Sequence, residues 1–310
     1  MQRSSLGPRA LTISRLSLGT VQFGMPYGLT RAKSQGDVDA ILDTAAELGI
    51  SLLDTAPAYG DSEAKIGDAL RRRPGHGFRI ATKAAKLSPE DAATVERMAQ
   101  ALRESLERSR AALGRLDVLQ LHQTEPWLVR ADSLWEAVER LRAQGFFNSF
   151  GVSLYEPEDA FEVLERGAGT LDLIQVPFNV LDQRFRPAIE AAAGRGIGVL
   201  ARSAFLKGTL TADSASLPPF LAALAPHRER LARHAASAGL TLAEAALAFV
   251  AGEPGVSSVL VGVDQPAELR RNAAVLDRLG AAGPIRDALK AMSVTDRTLV
   301  DPRLWTAQGF

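Results

Sequence analysis

The sequence predicts a (β/α)8 TIM barrel in one domain, residues 1–310, and three observations carry that expectation. Short apolar runs alternate with longer Ala- and Leu-rich stretches eight times along the chain. The short runs are apolar on both faces and rich in Val, Ile and Leu, as are strands of a parallel sheet covered on both sides. No linker or shift of composition divides the 310 residues, which favours one barrel over two domains or a doubly wound sheet.

The elements follow in order. "RALTISRL" is read as a small N-terminal hairpin closing the barrel floor, ahead of a first strand in "RLSLGT" (15–20) and a helix over 36–49. "ISLLDT" (50–55) precedes a helix over 61–72, and "FRIATK" (78–83) precedes a long one over 91–113. "LDVLQLH" (116–122) leads to a helix near 131–143, "FNSFGVS" (147–153) to one near 157–166, and "LDLIQVP" (171–177) to one near 186–194. "IGVLAR" (197–202) precedes a two-part helical region, and "VSSVLVG" (256–262) precedes a helix over 265–278. Gly49, Gly145 and Gly196 stand just before strands, where helix C-terminal caps belong.

Composition narrows the function classes. Thirty-six basic and 36 acidic side chains balance to zero, and no basic tract is present, so a nucleic-acid partner is not expected. With no cysteine and four scattered histidines, neither a disulfide framework nor a metal site is expected. No apolar run approaches the roughly 20 residues that cross a bilayer, and the N-terminus lacks a signal-peptide core. The expectation is a cytoplasmic protein with no membrane partner, acting on a small molecule as a monomer or weak homo-oligomer.

In such a barrel the active site lies at the C-terminal ends of the strands. There the second strand ends in Asp54, with Tyr59 in the next loop; the third ends in Lys83 and the fourth in His122. Each has an ordinary structural reading taken alone, but four at neighbouring strand ends form a constellation. A tyrosine with a pKa of about 10 is a poor proton donor at neutral pH unless its phenolate is stabilised. A nearby ammonium does this, and a carboxylate behind it keeps it charged. Histidine then orients a carbonyl oxygen or shares in the proton transfer. None of the four supplies hydride, so the chemistry calls for a nicotinamide cofactor.

At these residues the sequence resembles the aldo-keto reductases, through "LGTVQFG" (18–24), "LLDTAPAYGDSEAKIGDAL" (52–70), "ATK" (81–83), "LQLH" (119–122), "GVS" (151–153), "IQVPFNVLD" (174–182) and "VGVDQPAELRRN" (261–272). The resemblance implies NAD(P)(H) bound on a barrel without a Rossmann fold, Tyr59 as general acid/base, Asp54 and Lys83 tuning it, and His122 orienting the carbonyl. It implies Ser153 and Gln175 as ligands of the nicotinamide carboxamide, and places Gly19, Thr20 and Asp54 on the cofactor as well. Two departures stand out: Leu154 replaces the usual Asn, and Arg202 replaces the aromatic that usually stacks on the nicotinamide, leaving Phe205 as a candidate face. Ser203 and Lys207 fall in "ARSAFLKG", where the pyrophosphate is expected. Gly262, Asp264, Glu268, Arg271 and Asn272 fall around the adenosine. Asp264 and Glu268 make that end acidic and slightly favour NAD(H), since a carboxylate accepts from a ribose hydroxyl and repels a phosphate; Arg270 as a phosphate ligand is the alternative.

Substrate contacts are expected from Met25, Tyr27, Trp127 and Trp305, with Tyr59 and His122. Some of these motif forms resemble a bacterial subgroup linked with sugar metabolism, so an aldose is the leading substrate, its oxidation favoured if NAD(H) is used. The competing reading is a cofactor-binding regulatory protein, as the potassium-channel β-subunits of the family partly are.

Overall fold

The computed structural model describes residues 1–27, 31–211 and 217–308, without the side chains of 306–308. Eight parallel strands close into a barrel: β3 (Leu16–Gly19), β4 (Leu52–Asp54), β5 (Arg79–Lys83), β6 (Val118–Leu121), β7 (Ser149–Ser153), β8 (Leu173–Pro177), β9 (Gly198–Arg202) and β10 (Ser258–Val261). Closure is made where β10 pairs with β3, Val259 opposite Leu16 and Val261 opposite Leu18. Every strand is almost wholly buried, because helices cover the outside and side chains fill the inside.

The expected hairpin is present and begins earlier than the motif suggested. β1 (Arg3–Leu6) pairs antiparallel with β2 (Leu11–Ser14). Leu6 and Ile13 enter the barrel from below and join Leu52, Ala81, Val118, Leu173, Leu200 and Leu260 in one buried cluster. The Gly7 turn, with φ 73°, lies so close to the Asp172 carbonyl that any Cβ would collide with it. Asp172 is fully buried and accepts from Arg9 at 2.9 Å and from Arg142 at 3.0 Å, tying the hairpin to the barrel rim.

Helix boundaries follow local signals. Ser34 with Asp37, and Thr241 with Glu244, form capping boxes. Gly49, Gly145 and Gly196 have φ of 72°, 76° and 71°, the left-handed conformation in which glycine ends a helix without steric cost. The helix expected over 91–113 starts at Val95 instead, because Thr94 is extended and its side chain accepts from the Arg97 amide. Asp91–Ala93 is a separate 3-10 turn. The two-part region is a 3-10 turn, Pro219–Leu224, followed by helices Ala225–Ser237 and Leu242–Ala251. Among the described residues no single helix is long and apolar enough to cross a membrane.

After the last barrel helix, Pro266–Leu276, the chain returns to the mouth as Arg297–Val300 and Pro302–Gln308. Between them sits Asp301, 3% exposed, which holds Arg297 at 2.9 Å and Arg303 at 2.6 Å. Burial would raise the Asp301 carboxyl, but hydrogen bonds from the two guanidiniums hold it far below the usual carboxylate range. This charge cluster fixes the C-terminal segment beside the cleft.

Candidate active site

Asp54 ends β4 pointing into the barrel and is 3% exposed. Its Oδ2 accepts from Lys83 Nζ at 2.8 Å, and its Oδ1 accepts from Gln120 Nε2 at 2.7 Å and from Gln175 Nε2 at 2.9 Å. Lys83 also donates to the Thr55 carbonyl at 3.0 Å. Two buried charges are thus paired, and the carboxylate's remaining lone pairs are filled by amides, which a buried ion pair requires. Burial works against the Lys83 ammonium, but Asp54 and Tyr59 outweigh it and raise its pKa, so it stays charged.

Tyr59 is placed by a turn rather than by a strand. Its N–H donates to the Ala56 carbonyl at 3.0 Å, and the following Gly60 has φ 58°. A Cβ on Gly60 would strike the Gly24 backbone, and one on Gly24 would strike the Tyr59 carbonyl, so the two glycines let the β3 and β4 loops touch. Lys83 Nζ lies 5.0 Å from the Tyr59 ring centroid, and His122 meets that ring edge-on at 6.0 Å. Sequence reasoning expected the ammonium to lower the phenol's pKa. In the structure burial raises it further than Lys83 pulls it down, so the resting group is a neutral phenol.

His122, one residue past β6, has its pKa pushed down to about 4 by burial and by the Lys83 charge, against an opposing pull from Asp54. A neutral imidazole at physiological pH suits hydrogen bonding to a carbonyl and not proton donation. Of the two roles left open by the sequence, this favours orientation. Its Nε2 lies 3.3 Å from the Tyr155 hydroxyl. Tyr155 carries two guanidiniums on its ring, Arg202 at 4.5 Å and Arg303 at 5.1 Å.

From this group a cleft of ≈ 1260 Å³ runs over the barrel mouth to the end of β10. It brings together most of the residues singled out in the sequence. Gly19, Met25, Tyr27, Asp54, Tyr59 and His122 line the reactive end; Ser153 and Gln175 form its base. Arg202, Ser203, Phe205 and Lys207 follow, and Gly262, Asp264, Glu268, Arg271 and Asn272 line the far end. Ser203, Leu206 and Lys207 all have positive φ, a strained backbone of the kind that gathers at ligand sites. Together with the Arg202 Nε, a buried N–H without an acceptor among the described residues, this elongated cleft fits a dinucleotide.

Four expected residues are not on its wall. Lys83 lies just beneath, reaching the site through Asp54 and Tyr59. Thr20 is buried behind it, donating to the Asp54 carbonyl at 2.9 Å. Trp127 belongs to the short helix Pro126–Val129 and packs against the core. Trp305 is 1% exposed, donates to the Thr298 carbonyl at 2.8 Å and meets Phe220 edge-on. Neither tryptophan lines the cleft as a substrate contact: Trp305 is buried, and Trp127 packs part of its apolar surface against the core.

The acidic far end is also corrected. Asp264 is paired at 2.6 Å with Lys33, a buried side chain from the β3 loop, and Glu268 accepts from the Asp264 amide at 2.8 Å. Arg270 turns outward to Glu47 at 2.6 Å and is not on the cleft wall. Sequence reasoning missed Lys33, Gln120 and Tyr155. Gln120 had a signal, sitting two residues before His122 and so on the inward face. Tyr155 had another: the chain has three tyrosines, and all three line this cleft.

A sequence model of the aldo/keto reductase family matches residues 15–279. D-threo-aldose 1-dehydrogenase of a Pseudomonas species is 30% identical over 85% of this chain and 89% of its own. L-galactose dehydrogenase of Arabidopsis thaliana is 27% identical over 92% of this chain and 91% of its own. The holo form of aldo-keto reductase AKR11C1 from Bacillus halodurans superimposes with a TM-score of 0.77, at 22% identity, over 96% of this chain and 99% of that one; it supports the fold. With the family match spanning every barrel strand and the cleft built on their ends, the chain belongs to the aldo/keto reductase family and is an NAD(P)-dependent oxidoreductase.

Proposed function

We propose that the protein interconverts a sugar alcohol group and its carbonyl, with an aldose as substrate class and Tyr59 as general acid/base. The observation that carries this reading is the Lys83 ammonium, held between the Asp54 carboxylate at 2.8 Å and the Tyr59 ring at 5.0 Å. In reduction the neutral Tyr59 phenol gives its proton to the developing alkoxide, and the adjacent ammonium stabilises the phenolate left behind. In oxidation Tyr59 takes the proton back. Asp54 is a support for Lys83 and not a base, since three donors already occupy its oxygens. His122, neutral, donates to the substrate oxygen and fixes it within reach of Tyr59.

A bound nicotinamide nucleotide supplies or accepts the hydride. Ser153 and Gln175, at the ends of β7 and β8, are assigned to its carboxamide, the 203–208 turn to its pyrophosphate, and Arg271 and Asn272 to its adenine. NAD(H) is assigned as used at least as well as NADP(H). With Asp264 neutralised by Lys33, the case rests less on repulsion than on Arg270 being engaged elsewhere and Glu268 being able to accept from a ribose hydroxyl. The sugar assignment draws support from the names of the two relatives, both sugar dehydrogenases.

The test is an absorbance assay of the reduced nicotinamide against aldoses, aldehydes and ketones, in both directions and with both nucleotides. Oxidation of an aldose with NAD+ is expected, and Tyr59→Phe is expected to lower kcat roughly 10²–10⁴-fold with little change in nucleotide Kd. Undiminished turnover in Tyr59→Phe overturns the assigned role. A hundredfold preference in kcat/KM for the NADP couple overturns the nucleotide assignment. Absence of turnover across the panel, with nucleotide still bound, returns the protein to the regulatory reading.

A further inference from the structure

Among the described residues, three of the cations near the reactive end of the cleft are matched by carboxylates. Lys83 pairs with Asp54 at 2.8 Å, Arg184 with Asp182 at 2.9 Å, and Arg303 with Asp301 and Glu156, each at 2.6 Å. Arg202 differs from all of them. Its Nη2 donates to the Leu154 carbonyl at 2.9 Å and its Nη1 sits 3.5 Å from the Ser203 hydroxyl. Its Nε is buried with no acceptor, and no carboxylate pairs with it among the described residues.

The guanidinium is also held still. It ends β9, where Arg202 stands opposite Pro177 in the barrel register, and it lies 4.5 Å over the Tyr155 ring, which in turn meets His122. Its charge reaches both neighbouring titratable walls of the cleft: it contributes to holding His122 down, and it opposes the rise that burial imposes on Tyr27. A fixed positive charge with no counter-ion among the described residues, at the end of the cleft where the proton is handled, is therefore part of the electrostatic field that any bound nicotinamide ring meets.

We propose that Arg202 makes the cleft discriminate between the two redox forms of the nicotinamide, favouring the reduced one. The inference rests on the reading of the site given above. The oxidised ring carries one positive charge that the reduced ring lacks, and the two forms are otherwise nearly the same shape. An unpaired guanidinium beside the ring repels the oxidised form selectively, in a cleft whose walls screen less than water does. Two unit charges several ångströms apart at the effective dielectric of a protein site interact strongly enough to shift a binding ratio roughly tenfold or more. A nucleotide pair bound this way is a stronger hydride acceptor, which tilts the equilibrium on the enzyme toward alcohol oxidation.

The test needs no turnover. Dissociation constants for NAD+ and NADH, and for NADP+ and NADPH, are measured by calorimetry or protein fluorescence on the wild type, Arg202→Gln and Arg202→Lys. The expected wild-type preference for the reduced form falls about tenfold in Arg202→Gln, equivalent to about 30 mV for a two-electron couple, and is kept within threefold in Arg202→Lys. An unchanged ratio in Arg202→Gln, with both forms still bound, overturns the proposal. An equal fall in Arg202→Lys also overturns it, because shape and not charge would then set the ratio. A wild-type protein that binds no nicotinamide nucleotide sinks the underlying functional reading instead.

Discussion

The floor and the mouth of the barrel are built by the same strands and the same inward faces, two residues apart. At the floor these faces carry Leu52, Ala81, Val118, Leu173 and Leu200, sealed by Leu6 and Ile13 of the hairpin. Two positions further along, the same five strands carry Asp54, Lys83, Gln120, Gln175 and Arg202. Residues i and i+2 of a strand face the same side, about 7 Å apart. Over that short distance the interior changes from an apolar plug to a hydrogen-bonded ionic network. The lower layer obtains its stability from excluded water, whereas the upper one keeps the Asp54 and Lys83 charges buried because each has its partners, with Arg202 as the exception.

The largest effect that tests this contrast is expected at Lys83. Lys83→Met leaves the buried Asp54 carboxylate with only the Gln120 and Gln175 amides, and breaking a buried pair by removing one partner costs about 3–5 kcal/mol. Urea denaturation is expected to show a loss of that size, and kcat is expected to fall with it. Adding Asp54→Asn removes the stranded charge, so the double variant is expected to regain much of the stability and none of the activity. If Lys83→Met alone is as stable as the wild type, the upper layer is not the interdependent network described.

A loss at the floor should look different. Leu173 is fully buried and fills the space against Gly151, where a Cβ would collide with it. Leu173→Ala is expected to cost about 2–5 kcal/mol, the range for a leucine removed from a packed core. Nucleotide Kd and kcat, measured well below the melting temperature, are expected to stay within about twofold of the wild type. A large change in either would show that the floor and the mouth are coupled, and the division of labour would fail.

Much of this contrast is legible in the sequence. Strand positions follow from short apolar runs, and the mouth residues follow from asking what polar group each run ends in; Asp54, Lys83 and His122 were found that way. What could not be read depends on where loops travel. The aromatic rings of Trp127 and Trp305 look like substrate contacts in sequence, but only packing decides whether a loop aromatic reaches the cleft or the core, and neither lines the cleft. Lys33 neutralises Asp264 from the far side of the β10–β3 seam, a pairing that no local pattern announces. The direction of the Tyr59 shift was hidden for a similar reason: the neighbouring charge is visible in the motif, whereas the depth of burial that outweighs it is not.

The smallest expected effect separates the mouth from the floor by pH. The floor cluster holds no titratable side chain, so it contributes nothing to pH dependence. At the mouth, burial and the Lys83 charge push the His122 pKa down to about 4, from an ordinary value of about 6.5. Between those values the unfolded chain binds a proton that folded His122 refuses, so unfolding becomes easier as pH falls. Above about pH 6.5 both states are neutral at this residue and it has no effect; the penalty grows as pH drops and is complete near pH 4, at most about 3 kcal/mol. His122→Gln is expected to match the wild type in urea stability at pH 7.5 and to exceed it progressively from pH 6 to pH 4.5. Carboxylates that titrate in the same range are common to both proteins and cancel in the difference. A constant gap across that range would mean that folded His122 takes up its proton as readily as a free imidazole, and the neutral, carbonyl-orienting role assigned to it would not stand.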